Sequence, residues 1–421
     1  MKRDPGEAQW LKTSLEVGDH RVPERRALWA GLAFAVVTSS ALVHFRKPDY
    51  RSGIASTVVY VSNPTGHGIR FVGATVSALD DGHVEIWCDE RLDQGVLGTK
   101  KDFPSIAPRS IARHIGWRHL RLLAPNFGRG GDVLDVGTEY SRLYWRYLLF
   151  AQRVRYALAI EHMSNSEVKI LLADMDRNSG CAPVVMAAKH LGITTATLVH
   201  GCPSRHYLPI LSDHVLAWST VQRDWFKDSG VSCDIHIVGR PDISFPTETS
   251  TGGRIVFAHS REVLTDHEMH RLQALLIQAG KLGKTRSLRL HPQARSFASE
   301  GNWTEMSFDN IEIADGGLAW LTDCELLVTV SSTTAIDALS FGVPCMVVAD
   351  PDRELPCELE HLRVMTDQSG SANNLTHASD TYIANARAAI LPLIGVDAAM
   401  RLSDVISQIA KMSDTVNESR D

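Results

Sequence analysis

The sequence predicts an α/β protein of two Rossmann-like domains that face each other across a cleft. Three observations carry that expectation. From residue 54 onward, short apolar runs alternate with helical patterns. Buried parallel strands appear as short continuous apolar runs, and their alternation with helices makes a doubly wound sheet. The alternation stops at residues 239–253, a stretch rich in Pro, Gly and hydroxyl residues, and then resumes; such a stretch reads as a linker. Finally, 421 residues exceed one ordinary core, and roughly 150–200 residues per domain gives two.

Each element follows in chain order. Residues 27–45 are uncharged and lie between Arg25-Arg26 and Arg46-Lys47, a length close to the roughly 17–25 residues of a bilayer span. Gly31, Thr38, Ser39, Ser40 and His44 dilute the run. Two readings stand: a helix in or on the cytoplasmic membrane, or a helix packed on the first domain. Basic flanks on both sides leave the positive-inside rule without a direction. In the first half, strands are predicted at 56–61, 84–87, 133–136, 168–173, 194–199, 215–217 and 234–238, with helices at 68–79, 140–160, 182–191 and 221–229. In the second half, strands are predicted at 254–258, 287–290, 311–314, 326–330 and 345–348, with helices at 266–282, 317–322 and 333–341. A last helical stretch covers 384–412. The chain therefore divides into an extension (1–50), a first Rossmann-like domain (51–240), a second Rossmann-like domain (241–383) and a C-terminal helical segment (384–421).

Composition narrows the function. A hydrophobic fraction of 44% with 22% charged residues is that of a globular protein, and a net charge of −6 gives no reason to expect a nucleic-acid partner. Seven scattered cysteines without a Cys-x-x-Cys pair suit reduced thiols in the cytoplasm better than a disulfide framework or a zinc site.

The most informative stretch is the strand at 326–330 running into Ser331-Ser332-Thr333-Thr334 and a short helical pattern. A hydroxyl-rich turn at a helix start suits a phosphate. A single hydroxyl there would serve as an N-cap; four in a row point to more. Other strand ends in the second half carry His259-Ser260-Arg261, then Arg289 with His291-Pro292, then Asp315-Gly316-Gly317. Arg261 and Arg289 suit phosphate oxygens, and His291 suits a hydrogen bond to a leaving phosphate. Together they describe a nucleotide-diphosphate pocket.

The first half offers different chemistry. A strand runs into His200-Gly201-Cys202-Pro203-Ser204-Arg205. Gly201 is expected to let the backbone turn sharply and leave His200 in the cleft, where a neutral imidazole takes a proton from an acceptor hydroxyl. A histidine bonded within its own turn is the competing reading. A loop with Gly66, His67 and Gly68 follows the first strand and is expected on the acceptor side. Asp174 and Asp176 end a strand as Asp-x-Asp, a pattern that can hold a divalent cation but more often shapes a turn.

The order His200-Gly-Cys-Pro203, Arg289-Leu-His291-Pro292 and Ser331-Ser332 resembles bacterial surface-polymer transferases of the GT-B type, among them CDP-glycerol glycerophosphotransferases and the polysialic-acid and capsule-polysaccharide transferases. The phrase from Ala187 to Thr195 is similar to the same group, and the likeness spans roughly residues 168–348. It implies a metal-independent enzyme without a cofactor, whose second domain holds a nucleotide-activated donor. The acceptor implied is a glycan or polymer, lipid-linked in some of these systems. By the same resemblance His200 is the base, while His291, Ser331 and Ser332 hold donor phosphates. Two departures leave the donor open: Thr329-Val330 stands where glycerophosphotransferases carry Asp-Tyr, and the acidic-acidic-Gly motif of polysialyltransferases has no counterpart in the first half. Competing expectations are a non-hydrolysing UDP-N-acetylglucosamine 2-epimerase, a metal-dependent transferase using Asp174 and Asp176, and a non-catalytic scaffold.

Overall fold

The computed structural model describes residues 56–61, 66–79, 84–89, 100–103, 111, 139–176, 180–243, 253–259, 264–290, 306–313, 317–360, 362 and 397–418. The segment at 27–45, the predicted strand at 133–136 and the site candidates Arg261, His291 and Asp315 lie outside them.

The first sheet holds β1 (Thr57–Val61), β2 (Val84–Asp89), β3 (Lys100–Phe103), β4 (Ile170–Ala173), β5 (Thr194–Leu198), β6 (His214–Ala217) and β7 (Asp234–Ile237), in the order β3-β2-β1-β4-β5-β6-β7. The second holds β8 (Arg254–His259), β9 (Thr285–Leu290), β10 (Asn310–Ile313), β11 (Cys324–Thr329) and β12 (Cys345–Val347), in the order β10-β9-β8-β11-β12. All pairings among the described strands are parallel. Each sheet starts mid-way, builds to one edge and returns to build the other. The direction reverses between β1 and β4 in one lobe, and between β8 and β11 in the other. Ligands of such sheets bind outside the carboxyl ends of the strands at that reversal.

Helices α1 (Gly66–Ala78), α2 (Glu139–Ser164), α3 (Ala182–His190), α4 (Thr220–Asp228), α5 (Asp266–Lys281), α6 (Thr334–Ser340), α7 (Cys357–Glu360) and α8 (Ala398–Glu418) complete the described elements. The pleat of β1 explains why both faces of the first sheet are covered. Val58 and Tyr60 pack with Phe150 and Leu158 of α2 and Val184 of α3, while Val59 packs on the other face with Phe71 of α1. Leu402, Ile406 and Ile409 of α8 join that second face. Local chemistry sets several helix starts. Thr265 and Glu268 form a capping box at α5, and the Ser219 hydroxyl accepts from the Gln222 amide at α4.

Several expectations need correction. The C-terminal helix is not a separate segment: α8 packs against α1 and β5 of the first lobe, because its apolar stripe completes that lobe's core. Residues 384–396, where it was expected to begin, lie outside the described region. Gly66, His67 and Gly68 form the first turn of α1 instead of a loop. The helix expected at 317–322 is a 3-10 turn, Ala319–Asp323. The linker begins as a buried corner, since Arg240 and Asp242 are fully enclosed. Neither β3 nor α7 was expected. Among the described residues no helix is long and apolar enough to cross a membrane, and all seven cysteines are free thiols.

Candidate active site at the lobe junction

His200 sits two residues past the end of β5, at the carboxyl edge of the first sheet. Its Nδ1 lies 2.6 Å from the backbone carbonyl of Asp174. A carbonyl only accepts, so Nδ1 carries the hydrogen and donates it, which puts the basic lone pair of the neutral ring on Nε2. The Asp174 carbonyl is itself at the end of β4, so two neighbouring strands fix the imidazole. The Tyr207 ring lies 6.0 Å away, tilted by 45°.

Gly201 is there for space. The chain bends at Gly201 as expected, but its backbone is outside the left-handed region occupied by Gly192, Gly230, Gly239, Gly283 and Gly342, so the bend alone does not demand a glycine. A β-carbon at this position would stand 3.2 Å from the Tyr207 hydroxyl and 3.7 Å from Cγ2 of Thr333. Thr333 belongs to the second lobe. The hydroxyl turn and the histidine turn therefore meet across the junction.

In that hydroxyl turn, Ser331 is buried and Ser332 half-buried. The Ser332 amide donates to Thr329 Oγ1 at 3.0 Å, and the Ser332 hydroxyl accepts from the Thr334 amide at 3.3 Å. Ser332 thus does the capping work, and Thr333 has no cap bond. The helix behind the turn is only seven residues long and carries Asp337 in its first turn, so its dipole offers little to an anion. What the turn can offer a ligand is hydroxyl groups.

The remaining candidates divide. Arg289 does not join the edge: it bonds Glu312 at 3.0 Å and stacks 4.7 Å above the Trp320 ring. Glu312 is also held by Arg254, the first residue of β8. These partners occupy the guanidinium. Arg205 is exposed and pairs with Glu354 of the second lobe at 3.0 Å. β8 ends at His259, two residues before Arg261, and β9 ends at Leu290, beside His291. The acidic pair is structural. Asp174 Oδ1 accepts from the Cys181 thiol at 3.1 Å, and Asp176 Oδ2 accepts from the amides of Leu211 and Ser212 at 2.7 Å. Among the described residues no acidic, His or Cys cluster is arranged to hold a metal ion.

Sequence reasoning missed the residues that lock the lobes together. Arg240 is buried against the Trp218 ring at 4.5 Å, bonds Asp242 through two nitrogens, and reaches Asp337 of α6 at 2.8 Å. Gln222 is also buried; its side chain accepts from the Trp218 amide and donates to the Gly201 carbonyl. The clue in the sequence was Gly239-Arg240-Pro241-Asp242, a charged corner in a segment that otherwise reads as linker.

With this geometry in place, known proteins can be compared. A family model described as "Putative glycosyltransferase (DUF6716)" matches residues 248–351. Curated proteins give no match. Among solved structures, a UDP-N-acetylglucosamine 2-epimerase from Neisseria meningitidis bound to UDP-GlcNAc aligns with TM-score 0.53 at 12% identity, covering 84% of this chain and 100% of that one. A structure titled as a putative UDP-N-acetylglucosamine 2-epimerase from Listeria monocytogenes aligns with TM-score 0.54 at 14% identity, covering 84% and 96%. The S. aureus MnaA–UDP structure gives 0.52 at 12%, covering 84% and 96%. The fold is of the GT-B type. These structures share its two-lobed fold, and at 12–14% identity the likeness concerns the fold alone.

Proposed function

We propose that this GT-B chain is a transferase that moves a glycosyl or glycerophosphoryl group from a nucleotide-activated donor to a hydroxyl of a cell-surface polymer or lipid-linked glycan. The observation that carries this reading is the apposition of the His200–Gly201 turn with the Ser331–Thr333 turn across the junction. The glycosyltransferase description of the family matching residues 248–351 supports it.

In the proposed reaction the donor lies along the second lobe, with its phosphate oxygens on the hydroxyls of Ser331, Ser332 and Thr333. Arg261 and His291, which follow the ends of β8 and β9, supply positive charge, and Asp315 contacts the donor. Arg289 is left out of this set because Glu312 and Trp320 hold it. The acceptor hydroxyl attacks the transferred carbon or phosphorus while its proton passes to His200 Nε2. The bond to the nucleotide breaks, and its electron pair stays on the departing phosphate. Stabilising that charge as it develops favours the transition state over the bound substrate. The acceptor enters from the first lobe, beside α1 and the loop from Gly201 to Arg205. No metal or cofactor is invoked, and the reaction takes place at the cytoplasmic face of the membrane.

His200→Ala is the direct test. Turnover should fall by about 10²–10⁴-fold, the usual contribution of a positioned base, while donor nucleotides still shift the melting temperature. Unchanged turnover would exclude His200. A melting panel of UDP-, CMP-, CDP- and GDP-linked donors identifies the nucleotide. Incubation with UDP-N-acetylglucosamine and no acceptor separates the epimerase reading, since only an epimerase converts it. Loss of activity with EDTA would reinstate a metal, and tight nucleotide binding without turnover would leave a scaffold.

A further inference from the structure

A buried amide group links α4 to the loop that carries His200. The helix opens on Ser219-Thr220-Val221-Gln222, the Ser-x-x-Gln pattern of a capping box, in which the fourth side chain reaches back to the backbone at the helix start. Both halves of a cap are present. The Ser219 hydroxyl accepts from the Gln222 amide at 3.2 Å, and Gln222 Oε1 accepts from the Trp218 amide at 2.8 Å, one residue before the usual partner. A cap uses only that oxygen, and a glutamate would supply it equally well. The nitrogen is left over. Gln222 has no exposed surface, and its Nε2 donates to the Gly201 carbonyl at 3.3 Å. A backbone N–H only donates and a carbonyl only accepts, so the amide group fits in one orientation.

This bond falls on the residue next to His200, whose ring is held separately at Nδ1 by the Asp174 carbonyl. Further along the loop, the Pro203 carbonyl accepts from the Cys357 amide of α7 at 3.2 Å, and the Ser204 carbonyl from the Tyr207 amide at 2.8 Å. α4 also packs against α7, where Cys357, Glu358 and Leu359 are buried, and Trp218 lies beneath Arg240.

We infer that Gln222 is a positioning residue for His200: its hydrogen bond to the Gly201 carbonyl fixes the backbone from which the imidazole projects. This deepens the transferase reading, on which its catalytic consequence rests. A contact at Nδ1 alone leaves the ring free to swing about that point, whereas holding the main chain as well aims Nε2. Without the Gln222 donor the Gly201 carbonyl is buried and unpaired, and the loop must shift to satisfy it.

The experiment uses the full chain with three readouts: melting temperature, steady-state kinetics, and the rate at which diethyl pyrocarbonate modifies His200, mapped by mass spectrometry. Gln222→Glu keeps the oxygen that caps α4 and turns an acceptor toward Gly201. It should lower kcat by about a hundredfold, the cost of a catalytic group displaced by about 1 Å, with donor KM unchanged. It should also raise the His200 modification rate by about tenfold, as expected for one lost buried hydrogen bond. Gln222→Asn, neutral but too short to hold Trp218 and Gly201 together, should shift both in the same direction, and decides the matter if Gln222→Glu does not fold. Ser219→Ala removes the cap and leaves the amide bond, so the melting temperature should fall while kcat and the modification rate stay at wild-type levels. Wild-type kinetics and modification in the Gln222 variants overturn the inference. So does a Ser219→Ala variant that reproduces their effects, since the cap alone would then account for them. If wild type transfers nothing from any donor while the modification pattern holds, the positioning role stands and the transferase reading fails.

Discussion

Among the described residues two ion pairs connect the lobes, and they differ in nearly every physical respect. Arg240–Asp337 lies at the pivot with 0% and 4% of its side-chain surface exposed, while Arg205–Glu354 lies at the rim with 82% and 56% exposed. At the pivot, desolvation is severe, and a second carboxylate, Asp242, is needed to balance the cost. At the rim, water and salt screen the attraction, and two mobile side chains lose freedom to form it. The lesson is that the lobes are registered from the inside. Contacts near the cleft mouth can exchange without disturbing the apposition of His200 and Thr333.

The largest expected effect comes from breaking the pivot. Arg240→Ala leaves Asp242 and Asp337 buried without a cation and should cost about 3–5 kcal/mol in urea unfolding. A loss below about 1 kcal/mol would mean the pivot is wetter than its enclosure indicates. Gly201→Ala tests the space between the lobes. The new methyl must push the Tyr207 hydroxyl and approach Thr333, so a loss of about 1–3 kcal/mol is expected, as for other overpacked sites. Turnover should fall with it; unchanged stability and turnover would show a looser junction. Arg205→Ala should change stability by less than about 1 kcal/mol. If it instead matched Arg240→Ala, the distinction between pivot and rim would collapse.

The sequence revealed the sheets better than the junction, for a physical reason. β4 (Ile-Leu-Leu-Ala) is buried throughout, so burial on both faces is written locally as an apolar run. β3 (Lys-Lys-Asp-Phe) is an edge strand without such a run, and nothing local announces it. The hydroxyl turn and the His200 turn were legible because strand ends and turn residues are also local signals. The role of Arg289 was not. Its partner Glu312 is set by register with β10, a pairing between distant segments that no window along the chain contains. Glu358 shows the same limit more sharply. An acidic residue in a short polar-looking segment reads as surface, and only the packing of α4 from the other lobe against α7 makes it interior. The bend at Gly201 was expected and is present, but its need for clearance was not legible, since a glycine needed for space looks the same in sequence as one needed for a turn.

The return of α8 to the first lobe has a consequence for biosynthesis. Leu402, Ile406 and Ile409 close over Val59, Phe71 and Leu172, so the lobe made first lacks this part of its apolar cover until α8 leaves the ribosome. Domains usually mature one after another as they emerge. Here the early lobe must wait for the late one, and a nascent chain halted before residue 398 would display that uncovered surface to chaperones.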